Sequence, residues 1–257
     1  FLLAQVEASG VPIEYGRDPG SGAQADAALV VHAEGASDEA REKRYEQEAV
    51  LALVETRPRA GRVAYERFTA QGPLALLPLE QRYAVVWSAR PERARELSEA
   101  PAEAFLDALA RAFGRRAGSF VAVSGRNRVP LALRVRPSRV GVRQVFVGNA
   151  AQTLHPVAGQ GLNLGLRDAW DLARLLQDAQ DPGDERLLAR YAAARRLDAA
   201  ATIRVTDFLA GAFLGSDALA GAARATLLAA AMTALDACSP LRRFFARRMI
   251  YGPSAIP

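Results

Sequence analysis

Cysteine occurs once in these 257 residues, at Cys238, and histidine twice, at His32 and His155. A single thiol excludes an intrachain disulfide, which fits a reducing compartment. Two imidazoles and one thiol cannot assemble a zinc site of the usual kind, so no metal ligands are assigned. Aromatic residues make up 7% of the chain and are not interleaved with basic ones, which argues against a stacking groove for nucleic acid. Lysine is scarce as well: Lys43 stands alone, so arginines spread along the chain carry nearly all of the +5 formal net charge. No window supplies the ~18 apolar residues of a membrane-spanning helix. The most apolar stretch, Leu227–Leu235, is bounded by Arg224 and Asp236. A hydrolase nucleophile elbow is missing too, because AVSGR around Ser124 lacks the first glycine of G-x-S-x-G. Phe1 opens no signal peptide, and the abrupt start reads as a piece of something longer.

What is present is an ordinary globular composition, 50% hydrophobic and 24% charged, in three zones. Residues 1–140 are rich in short β-like runs. Ala28–His32, Ala49–Val54, Leu74–Leu77 and Ala84–Ser88 are apolar, and Glu80–Arg82 is turn-like. Val63–Phe68 alternates, which puts Val63 and Tyr65 on one face. Phe105, Leu109 and Phe113 mark one face of a helix whose first turn suits Pro101. Val129–Val135 reads as a strand, and Pro130 within it argues for an edge position or a strand start. The second zone, Val145–Ala179, runs from a short buried strand through a Gly- and Pro-punctuated loop into a helix from about Leu162. The third, Asp184–Tyr251, is alanine-rich and helical, broken at Gly215-Ser216 and Ser239-Pro240 into three helices.

The stretch Val145–Leu176, VFVGNAAQTLHPVAGQGLNLGLRDAWDLARLL, carries the chemistry. Gly159 and Gly161 strip side chains from a helix start, where unpaired N–H groups and the helix dipole favour an electron-rich ligand. The same glycines would also serve tight turns and close helix packing, and spacing alone does not choose between the two uses.

This stretch resembles the flavin-contacting motif of the ubiquinone-biosynthesis hydroxylases, members of the single-component flavoprotein aromatic hydroxylases. Gly148, Ala150, Ala151, Pro156, Gly159, Gln160, Gly161, Asn163, Gly165 and Asp168 match the motif, while Asn149 stands for its usual Asp and Gln152 for its usual His. The variant GNAAQTLHP is most similar to the 2-polyprenyl-6-methoxyphenol hydroxylase (UbiH) branch. Tyr45–Val50 and Ala64–Leu79 resemble substrate-domain strands of the same proteins. ALVVHAEGASDEAR, from Ala28, resembles a further flavin motif, with His32 for a Gly and Glu34 for an Asp.

The resemblance implies an α/β (α+β) chain: an incomplete FAD-binding domain of the aromatic hydroxylase type, a mostly antiparallel β-sheet substrate domain with one helix, and C-terminal helices. It divides the chain into a remnant of the FAD domain at 1–40, the substrate domain at 41–140, the returning FAD-domain segment at 141–180 and a helical region at 181–257. The family's G-x-G-x-x-G, which seats the FAD pyrophosphate, is absent, so the chain as it stands is expected to be truncated and to hold FAD poorly or not at all.

The implied activity is NAD(P)H- and O2-dependent hydroxylation of a prenylated phenol in ubiquinone biosynthesis. The alternatives are a different ring position or aromatic substrate, or a silent substrate-binding or assembly module. Gly148, Asn149, Pro156, Val157, Ala158, Gly159, Gln160, Gly161, Leu162 and Asn163 are the implied cofactor-binding residues, with Asn149 on the ribityl chain or, in a plainer role, capping the loop. His155 is read as a loop residue bonded to backbone, with a proton carrier as the other possibility. Asp168 and Asp171 are explained by helix dipole and solvation, Arg67 is read as solvated, and no catalytic base is identified. The prenyl tail requires an apolar path, for which the C-terminal helices are candidates. Leu241–Gly252 combines apolar residues with four arginines and suits either an anionic membrane surface or packing on the core. Expected partners are the prenylphenol, a membrane surface and a ubiquinone-biosynthesis assembly. The expected location is cytoplasmic, peripheral on the inner membrane.

Overall fold

A computed structural model describes residues 2–16, 26–35, 39–69, 71–212 and 218–252. The chain opens with an exposed helix, α1 (Leu2–Ala8), and a short strand, β1 (Val30–His32). Next comes a run of antiparallel strands: β2 (Arg41–Arg57), β3 (Tyr65–Thr69), β4 (Gly72–Leu79) and β5 (Arg82–Ala89). Two helices, α2 (Pro91–Glu99) and α3 (Ala102–Phe113), lead to a long strand, β6 (Ser119–Val135). The short strands β7 (Val140–Gly141), β8 (Gln144–Phe146) and β9 (Gln152–Thr153) precede α4 (Gln160–Leu176). Three helices finish the described chain: α5 (Glu185–Ala212), α6 (Ala218–Ala237) and α7 (Ser239–Tyr251).

Two sheets result. The larger has the order β3-β4-β5-β2-β6-β9, and the smaller is β1-β8-β7, with β1 parallel to β8. Residues near 30 and near 145 therefore lie side by side, although five of the six strands of the larger sheet are inserted between them in sequence. β2 and β6 each run for 17 residues, and three register shifts between them supply the bends that strands of that length need to coil.

Period-two alternation sorts the larger sheet into two faces. Val50, Val54, Leu74, Leu76, Tyr83, Val85 and Trp87 point to one face and are buried. α2 and α3 cover that face with Leu97, Phe105, Leu109 and Phe113, the last three at the four-residue spacing visible in the sequence. Full burial of each such side chain is worth about 1.5–3 kcal/mol. The opposite face carries Pro73, Ala75, Leu77, Val86 and Ser88, which are left for the site.

Several expectations need correction. The middle region holds two helices, not one: α2 buries only Ala94 and Leu97, too sparse an apolar pattern to announce a helix, although Pro91 occupies its first turn. Pro101 is the N-cap residue of α3, preceding its first turn. Val63 precedes β3 and is 56% exposed, so it shares no buried face with Tyr65. Residues 129–135 are the last part of β6, and α4 starts two residues before Leu162. Pro130 does lie where β6 pairs only with β2 among the described residues, because β9 joins further on, at Arg134 and Val135. Glu80 and Gln81 form the tight turn between β4 and β5. Of the expected breaks in the C-terminal region, Gly215-Ser216 lies outside the described residues, while the second falls at Cys238, just before α7.

Candidate functional site

β8 delivers the chain into the glycine-rich loop. Gly148 turns with φ +56°, and its Cα lies so near Gly165 that a Cβ on Gly165 would meet it at 3.2 Å. Loop and helix α4 thus touch backbone to backbone. β9 pins the loop to the end of β6, and Arg136 N–H donates to the Ala151 carbonyl at 2.9 Å. A short 3-10 turn, Pro156–Ala158, follows, and Gly159 at φ +57° caps α4. A Cβ built at Gly159 or Gly161 would meet nothing within 4 Å. The bareness of Gly161 therefore answers to no packing need among the described residues. The first-turn amides of the 17-residue α4 have no intrahelical acceptors.

The helix start forms the roof of a cavity of about 370 Å³. Its roof is Leu154–Val157 with Gly159, Gly161 and Leu162, and its floor is the free sheet face of Pro73, Ala75, Leu77, Val86 and Ser88 together with Glu66. At Glu66 and Val157 the cavity adjoins an apolar groove of about 500 Å³ lined by α5, α6 and α7, including Phe208, Met232, Leu235, Phe245 and Met249.

Of the residues singled out from sequence, Pro156, Val157, Gly159, Gly161 and Leu162 share the cavity wall. Ala158 lies between two of them in the 3-10 turn. Gln160 is buried at the start of α4, and Gly148 stands behind the helix, against Gly165. Asn163 instead lines a separate groove with Leu166, Arg167 and Trp170. Asn149 is exposed, in the 3-10 turn that follows β8.

His155 is buried at 1% exposure. Its Nδ1 accepts from the Val157 N–H at 3.1 Å, and its Nε2 lies 3.0 Å from Gln47 Oε1. An accepting Nδ1 leaves the proton on Nε2, which donates to Gln47. Burial pulls its pKa down to about 4, so the ring is neutral at physiological pH. The backbone-bonded reading holds, and the neutral-pH proton carrier does not.

Asp168 and Arg67 correct the sequence reading. Asp168 is fully buried, not solvated: it accepts from Arg195 Nε at 2.8 Å, Gln152 Nε2 at 2.9 Å, the Gly148 N–H at 3.1 Å and Arg139 Nη1 at 3.2 Å. Arg195 also bonds Asp198 and the half-buried Asp171. This cluster ties the loop, α4 and α5 together. Arg67 is not simply solvated either; it donates to the Phe113 carbonyl and so caps α3 on the core side of the sheet. Glu66, its neighbour, faces the cavity side; the alternation of β3 sets its face, and nothing else in the sequence marks it.

Comparison with known proteins bears on this arrangement. Residues 15–206 match the model of the FAD binding domain family. The ubiquinone hydroxylase UbiL of Rhodospirillum rubrum is 38% identical over 234 residues, covering 86% of this chain and 54% of that protein. The 3-demethoxyubiquinol 3-hydroxylase of Escherichia coli is 33% identical over 185 residues, covering 67% and 47%. Human mitochondrial ubiquinone biosynthesis monooxygenase COQ6 is 30% identical over 204 residues, covering 64% and 44%. The chain thus spans about half the length of the curated relatives it matches. In fold it is similar to PqsL of Pseudomonas aeruginosa, a probable FAD-dependent monooxygenase, with TM-score 0.62, 23% identity and coverage of 77% of this chain and 58% of that one. The chain belongs to the FAD binding domain family and, within it, to the ubiquinone-biosynthesis FAD hydroxylases.

Proposed function

We propose that the protein containing this chain hydroxylates the aromatic ring of a prenylated phenol, of the 2-polyprenyl-6-methoxyphenol type, in ubiquinone biosynthesis. The observation that carries this reading is a ring-sized cavity between a bare helix start and a sheet face, continuous with an apolar groove among the C-terminal helices. A small aromatic head and a long hydrocarbon tail need those two environments side by side. Bound FAD, reduced by NAD(P)H, supplies the redox chemistry and delivers one oxygen atom of O2 to the ring.

The chain's own residues supply position and electrostatics. The Gly161 and Leu162 amides in the first turn of α4 would direct partial positive charge at the electron-rich edge of the cofactor and favour its negatively charged reduced form. Gly159 and Gly161 let that edge approach the backbone. The exposed Asn149 side chain has both donor and acceptor to offer the ribityl chain. Pro156 and Val157 would contact the bound ring, and Leu77 and Val86 form an apolar floor that would keep water from the reacting carbon. No helix among the described residues is long and apolar enough to cross a membrane. Leu241, Phe244, Ile250 and Tyr251 are exposed on α7 beside its arginines, which favours peripheral contact with an anionic membrane as the route by which a lipid-soluble substrate arrives.

The test is to express the full-length protein, measure bound FAD, supply NADPH, O2 and a 2-prenylphenol, and locate the new hydroxyl by mass spectrometry and NMR. A protein that takes up no flavin, or consumes NADPH without hydroxylating the phenol, refutes the proposal.

A further inference from the structure

Glu66 stands where the cavity and the apolar groove meet, and it lines both. On β3 it alternates with Tyr65, which packs edge-on against Tyr83 and Phe113 in the core, and with Arg67, which caps α3. Its own side chain therefore points the other way, along with that of Phe68, over the rung formed by Ala75 and Val86. Among the described residues it is the only carboxylate on either wall, and it makes neither a hydrogen bond nor an ion pair. Glu66 is an exposed residue with no structural partner, and its place at the mouths of both cavities is what marks it for chemistry.

Resting on the proposed hydroxylation, we infer that Glu66 is the general base that takes the proton from the phenolic hydroxyl of the substrate. In a 2-prenylphenol the hydroxyl and the tail occupy adjacent ring carbons. A ring in the cavity with its tail in the groove therefore presents its hydroxyl at the junction where Glu66 stands. The substrate O–H bond breaks, the proton moves to a carboxylate oxygen of Glu66, and the bonding pair stays on the substrate as phenolate. The phenolate enriches the ring at its ortho and para carbons, where oxygen is to be accepted. Water reaches Glu66 through the open groove, but the apolar walls raise its pKa to about 7, the range in which a base works best near neutrality. Among the described residues the other titratable groups on these walls are Arg204 and His155. His155 titrates near 4 and has both ring nitrogens engaged, so it does not compete as the base. Arg204, on α5, adds positive charge to the groove and favours the phenolate.

The test uses the full-length, flavin-loaded protein with a 2-prenylphenol and with its ring-fluorinated, more acidic analogue. Wild-type kcat/KM should rise through an acid limb near pH 7. Glu66→Gln should lower kcat/KM by roughly 100-fold or more near neutral pH and abolish that limb. Its remaining activity should follow the ionisation of the phenol itself, recovering at high pH and at a lower pH for the fluorinated analogue. Substrate Kd, read by fluorescence quenching, should change less than threefold, and Glu66→Asp should keep the limb. Glu66→Gln activity within threefold of an active wild type, or an unchanged acid limb, overturns the assignment of Glu66 alone. A wild-type protein that hydroxylates no prenylphenol overturns the proposed function instead.

Discussion

Asp168→Asn tests whether the buried ion cluster, and not only the glycine pattern, builds the site. Asp168 is fully buried and receives four hydrogen bonds, two from arginines, one from the Gly148 backbone and one from Gln152. The substitution removes the charge and turns one acceptor into a donor, so that an amide faces existing donors. Arg195, itself 2% exposed, keeps Asp198 and Asp171 at 2.8 Å each. Breaking a buried pair typically costs about 3–5 kcal/mol, and the two remaining partners put the expected loss at the lower end, about 3 kcal/mol. With a urea m-value of roughly 2–3 kcal/mol/M, the unfolding midpoint should fall by about 1–1.5 M with an unchanged slope. Asp171→Asn removes a carboxylate that is 34% exposed at its side chain and should cost under about 1 kcal/mol. Urea titration of the full-length variants by circular dichroism decides the matter. A loss below about 0.5 kcal/mol for Asp168→Asn would refute the claim that this cluster holds the loop.

Acid should act through His155. Its folded pKa of about 4 lies below the unfolded value of about 6.5, so the unfolded chain binds the proton first and stability falls as pH drops between those values. The loss amounts to about 3 kcal/mol and should be largely absent in His155→Gln; equal pH dependence of the two urea midpoints contradicts it. Gly161→Ala meets open space, so stability should stay level or rise by up to about 1 kcal/mol. FAD affinity should nevertheless fall at least tenfold by fluorescence titration, and retained affinity would remove the helix start from the cofactor site. Gly165→Ala should lower stability by about 1–2 kcal/mol, because its Cβ would press on Gly148. A neutral urea result for Gly165→Ala would show that loop and helix are not in close contact.

Local pattern carried much of this protein. The apolar runs at 74–77 and 84–88, the four-residue spacing of Phe105, Leu109 and Phe113, and the bare glycines at the start of α4 are all properties of neighbouring residues, and they announce strands, a helix face and a helix start. Tertiary structure decided what those faces meet. Asp168 looked like a solvated helix-start acid because its partners, Arg139 and Arg195, lie 29 and 27 residues away. α2 escaped notice because two buried residues suffice when a sheet is already there to receive them. Glu66 is one acid among many in the sequence. Only the closure of the glycine loop and three distant helices over β3 leaves it at the meeting of two cavities, where apolar walls beside an exposed carboxyl group raise its proton affinity.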